Sequence, residues 1–115
     1  MSKNRDTESI IDIYQAAKRI SSFSQDISRE DLKTDEMRLS AILYQIAVMG
    51  EATKRLSSEF RHQHSSIPWK EMAGIRDKLI HKYDNVKLDV VWNVITKEIP
   101  VLQEQLRDLL SERLD

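Results

Sequence analysis

The chain has 115 residues, 40% of them hydrophobic and 32% charged, with two Gly, two Pro, no Cys and a formal net charge of −1. That length holds one domain with one modest core, and so few Gly and Pro argue against a turn-dense β architecture. Without Cys there is no disulfide framework, thiolate metal site or thiol nucleophile, and without a large positive charge there is no bulk attraction for nucleic acid.

The N-terminus, MSKNRDTESI, is too polar for a signal peptide, and no apolar run approaches the length of a membrane span. The expectation is a cytoplasmic protein without a membrane partner. Thr7 is a fair N-cap, and Ile10, Ile13, Tyr14, Ala17 and Ile20 follow at helical spacing, which predicts a first helix over about residues 7–24. The polar stretch SSFSQDISREDLKTD reads as a connector with a short turn at about 28–33.

A second helix starts at Thr34, with Asp35 and Glu36 at the positive end of its dipole. Its buried stripe is Leu39, Ile42, Leu43, Ile46, Met49 and Gly50, reaching Leu56. A mid-helix glycine costs about 1 kcal/mol relative to Ala; close approach of another backbone is the usual reason to keep one. Residues 61–66, RHQHSS, read as a polar loop, and His62-x-His64 without further placed ligands is a weak metal signal.

Pro68 suits the first position of a third helix. Leu88, Val91, Trp92, Ile95, Ile99, Leu102, Leu106 and Leu109 trace a fourth helix over about 88–112, with a kink expected near Pro100. No repeat, low-complexity segment or linker interrupts the chain, which reads as one all-α domain over 1–115, an antiparallel bundle of four to five helices.

On a wheel of about 100° per residue from Trp69, Met72, Ala73, Ile75, Leu79 and Ile80 share one side, and Arg76 falls among them. An arginine there needs a partner or water. Either it forms a core ion pair with Glu51, or the face is an interface with a wet, functional centre. His81 lies about 140° from Arg76 on an ideal helix. The two can cooperate only if the helix loosens at about Leu79–Lys82 or a second subunit supplies the partner. Alone, His81 also fits a surface or capping role. Together the two residue types suit RNA cleavage by the ribose 2′-OH: an imidazole acts as base, and a guanidinium meets the charge developing on phosphate. Asp77 could orient either group or simply be exposed.

Arg76-x4-His81-x-Tyr83 comes with GEATKRLS (50–57) before it, IPWKEMAGIRDKLIH (67–81) around it and VVW (90–92) after it. In this combination the chain resembles the HepT proteins of the HEPN superfamily of helical nucleotide-binding and RNase domains. The resemblance implies the toxin of a type VII-like toxin–antitoxin pair. Arg76 and His81 would form a metal-independent endoribonuclease site, supported by Asp77 and Glu51, in the groove of a homodimer. It further implies a minimal nucleotidyltransferase antitoxin, MntA-like, that silences the RNase by adding AMP to Tyr83. No cofactor or metal is implied. Many relatives carry Asn where this chain has Asp77, and the added negative charge opposes phosphate binding. The alternative from the residues alone is a non-catalytic helical module that binds a nucleotide or a partner subunit.

Overall fold

A computed structural model describes residues 2–81 and 85–114. The elements are helices α1 (Ser2–Phe23), α2 (Asp31–Thr34), α3 (Glu36–Lys54), α4 (Ser58–Gln63), α5 (Trp69–Ala73) and α6 (Ile75–Leu79), then strands β1 (Ile80–His81) and β2 (Asn85–Val86), then helices α7 (Leu88–Asn93) and α8 (Ile99–Leu114). A π turn over Val94–Glu98 joins the last two helices. Apart from the two-residue β pair the described regular structure is helical, as composition predicts. No helix among the described residues is long and apolar enough to cross a membrane.

The bundle is built on α1, which packs chiefly on α3 and α8. Contacts at the helix ends fix the directions. Arg38, at the start of α3, donates from Nε to the Phe23 carbonyl (2.9 Å) and from Nη2 to the Gln25 carbonyl (2.7 Å). A cation there satisfies orphan acceptors and suits the negative end of the α1 dipole. At the other end, the Asp6 carboxylate accepts from the Ser57 amide (2.8 Å) and hydroxyl (2.7 Å) just past α3. Arg113, near the end of α8, donates from Nε to Thr7 Oγ1 (2.8 Å) and lies over the Phe60 ring (4.8 Å). Both neighbours of α1 therefore run antiparallel to it, as expected for a bundle.

Ile10, Ile13, Ala17 and Ile20 of α1 meet Ile42, Ile46 and Met49 of α3 and Leu102 and Leu106 of α8 in one buried cluster. The 24–34 connector contains the one-turn helix α2, whose Leu32 is buried. It is tied to α7 by the Arg29–Asp89 ion pair. Residue 26, an Asp in left-handed conformation (φ 59°), turns the chain there, a geometry Asp tolerates because its short side chain bonds locally.

The sequence expectation needs correcting at three places. The loop expected over residues 61–66, between the second and third predicted helices, is helical as far as Gln63: Ser57 caps α4 by accepting from the Phe60 amide (3.1 Å), and the buried Phe60 ring packs against His64 at 4.5 Å. His64 is thus a packing residue, and His62 is exposed. The helix begun at Pro68 is not continuous, because Gly74 breaks it into α5 and α6. The distortion ahead of Pro100 is the π turn, which widens the hydrogen-bond ladder just before the residue that has no N–H to give.

Candidate active site

Gly50 decides where the candidate segment lies. A Cβ there would stand 3.3 Å from the Met72 carbonyl oxygen and 3.7 Å from that of Ala73. The expected close approach of another backbone is therefore met by the end of α5. Trp69 and Met72 of α5 and Ile75 and Leu79 of α6 are buried and hold the segment down. Trp69 Nε1 also donates to the His64 carbonyl (2.9 Å). Gly74 ends α5 with its N–H shared between the Lys70 and Met72 carbonyls, and α6 leaves on a new course.

This break answers the question raised by Arg76. A single wheel over residues 69–80 places it among apolar side chains, but Arg76 is exposed. It has no hydrogen bond or ion pair among the described residues. Glu51, offered as its core partner, pairs instead with Lys54 at 3.3 Å and is itself exposed. The core ion pair with Glu51 is not formed. Asp77 is exposed beside Arg76 and likewise makes no ion pair with any described residue.

Helix α6 stops at Leu79, and the chain passes directly into β1, where Ile80 pairs with Val86 and His81 with Asn85. The Lys87 amide closes this pair onto the Leu79 carbonyl (2.8 Å). The helix thus loosens where cooperation between Arg76 and His81 requires it to, and the 140° separation of an ideal helix does not apply. Tyr83 lies outside the described residues.

Comparison with known proteins gives the chain its family. Residues 13–109 match the family described as ribonuclease HepT-like. The chain belongs to the ribonuclease HepT-like family. Among its relatives is a protein of Caldanaerobacter subterraneus subsp. tengcongensis named "Putative RNase", 45% identical over 86 residues, which are 75% of this chain and 77% of that one. Another is "Probable ribonuclease HepT" of Thermococcus cleftensis, 37% identical over 98 residues, 85% of this chain and 89% of that one. No solved structure matches. The HepT-like match takes in Glu51, Arg76, Asp77, His81 and Tyr83.

Two features of this HepT-like chain escape sequence reasoning. The short β pair leaves no two-residue periodicity to detect, since each strand has only two residues. The Asp6–Ser57 link spans 51 residues, and no local spacing announces it.

Proposed function

We propose that the chain is the ribonuclease toxin of a type VII-like toxin–antitoxin pair, cutting RNA without a metal ion in a groove between two copies of itself. The observation that carries this is the state of Arg76: an exposed guanidinium with no partner among the described residues, five positions before His81 on a segment that turns from helix to strand. A charge with no structural partner is available for a ligand. Membership in the ribonuclease HepT-like family gives that ligand its class.

The chemistry follows from the side chains. The His81 imidazole takes the proton of a ribose 2′-OH, and the 2′ oxygen attacks the adjacent phosphorus. The bond from phosphorus to the 5′ oxygen breaks, that oxygen is protonated, and a 2′,3′-cyclic phosphate and a 5′-hydroxyl result. Arg76, with its planar fork, stabilises the charge on the non-bridging oxygens. Two copies facing each other concentrate two such cations in one groove, which a chain of net charge −1 needs to hold a polyanion.

The cognate antitoxin is a minimal nucleotidyltransferase of the MntA kind. It moves AMP from ATP to the Tyr83 phenol, with pyrophosphate leaving. The phosphate so added repels RNA from the groove.

Overproduction tests the proposal. Growth arrest is expected with the natural chain and should vanish in Arg76→Ala and His81→Ala. Co-production with the nucleotidyltransferase should restore growth and raise the mass in steps of one AMP, except in Tyr83→Phe. Arrest that persists in a folded His81→Ala variant would contradict catalysis.

A further inference from the structure

Beside the Arg76 segment, a groove runs between α5–α6 and the π turn. It consists of two adjoining chambers of about 320 and 310 Å³, which share Pro68, Met72, Ile75, Val94 and Glu98 in their walls. Each is at the small end of ligand sites, which run from about 300 to 1,000 Å³.

The chambers differ in chemistry. The first is floored by Met49 and Met72, and at its mouth stands Val101, one of the few large apolar side chains that the described residues leave exposed (57%). Thioethers are polarizable and pack well against aromatic faces, so this chamber suits a flat aromatic ring. The second is flanked by Lys70 and Lys78 with Glu71. Lys97 adds a cation at the first chamber, so three lysines face two glutamates along the groove. Glu98 stands where the chambers meet, its Oε2 accepting from Asn93 Nδ2 at 2.9 Å. A carboxylate in that place is an acceptor for an exocyclic amino group, the pairing Glu makes with cytosine N4.

We infer that this groove is a subsite for one nucleotide of single-stranded RNA, with an amino-bearing base, cytosine, in the Met49–Met72 chamber and its phosphate at Lys70 and Lys78. Lys78 is two residues from Arg76 on α6, about 3 Å along the axis and about 200° around it, so a strand leaving the lysine chamber passes around α6 to the proposed cleavage site. A base can enter only when unstacked, so the subsite selects single strands over duplex. The inference rests on the proposed ribonuclease reading and adds where specificity arises.

Methyl NMR of full-length protein labelled at the methionine methyls tests it. The probe is an all-2′-deoxycytidine tetranucleotide, which lacks the attacking hydroxyl and stays intact. The Met49 and Met72 signals should shift in a saturable way, while Met37, exposed at the start of α3, should not. An all-deoxyuridine probe should bind at least threefold more weakly, and Glu98→Gln should erase that preference. Val101→Glu, an exposed change whose folding is checked by melting, should weaken binding about tenfold. Equal shifts at Met37, equal shifts with inorganic phosphate alone, or no shift with either probe would overturn the subsite. So would Met49 and Met72 signals that move on diluting the protein without probe, which would mean that a second copy covers the groove. RNA cleavage measured in parallel separates the two readings. An active protein with unmoved methyls loses only the subsite, and an inactive one with the expected shifts loses only the cleavage.

Discussion

The third and fifth helices meet backbone to backbone: a side-chain carbon on Gly50 would sit 3.3 Å from the carbonyl oxygen of Met72. That approach sets the height of α5, and through Gly74 the course of α6 and Arg76. Ala at position 50 gains about 1 kcal/mol of helix propensity, but overpacking of this kind costs about 1–3 kcal/mol. Gly50→Ala is expected to lower stability by about 1 kcal/mol, or about 4 °C in Tm, and Gly50→Val by more. Because displacement by about 1 Å costs up to about 100-fold in rate, RNA cleavage should fall further than stability does. An unchanged Tm in Gly50→Val would show that α5 gives way freely.

Asp6 is 5% exposed and holds both the amide and the hydroxyl of Ser57. Removing the carboxylate leaves a half-buried amide without its acceptor and loosens the residue that caps α4. Hydrogen bonds to charged groups are worth about 1.5–3 kcal/mol, so Asp6→Ala should cost about 2–3 kcal/mol in urea unfolding. In a double-mutant cycle with Ser57→Ala the two losses should not add. Additive losses would mean that the two side chains act independently.

Ser28 and Asp31 form a reciprocal pair: the Ser28 amide donates to Asp31 Oδ2 (2.9 Å), and the Asp31 amide donates to Ser28 Oγ (3.1 Å). The backbone bond from Ser28, followed by its side-chain bond, holds the Asp31 carboxyl below the usual aspartate range. A carboxyl depressed in the folded state adds stability above its unfolded pKa of about 3.9. That stability is lost as pH falls through the folded value. NMR titration of the natural protein should place the Asp31 midpoint below that of an unfolded peptide, and Ser28→Ala should raise it. A midpoint insensitive to residue 28 would contradict the pairing.

Asp77 adjoins Arg76, and both are exposed. Exposed charge pairs interact by about 0.2–1 kcal/mol, so Asp77→Asn should tighten RNA binding by about twofold to fivefold. The gain should shrink as salt screens it. Weaker binding by the Asn variant would mean that Asp77 orients a catalytic group.

Much of this architecture was legible in the chain. The apolar stripes of α1, α3 and α8 follow helical spacing, and Gly50 announced a close backbone contact that exists. The wheel sets Arg76 among apolar side chains because it assumes one axis, and Gly74 supplies two; of the two readings this leaves, the core ion pair with Glu51 is the one not formed. Residues 58–63 were too few for periodicity to mark them as a helix, although Ser57 and the buried Phe60 make them one. The candidate site was legible as a motif but not as an environment. That Arg76 stands clear of Glu51 depends on where α6 leaves α5, which no spacing encodes, whereas Glu51 and Lys54 are i,i+3 neighbours on α3.

The most direct measurement is cleavage of a defined single-stranded RNA by purified protein in a metal chelator, with melting temperatures taken on the same samples. Exposed residues without partners change stability by less than about 0.5 kcal/mol. Arg76→Ala should therefore melt with the natural protein, Arg76→Ala and His81→Ala should each lose at least about 100-fold in rate, and the natural product should end in a 2′,3′-cyclic phosphate. A fully active His81→Ala variant, or an Arg76→Ala variant that unfolds, would contradict a catalytic guanidinium and imidazole.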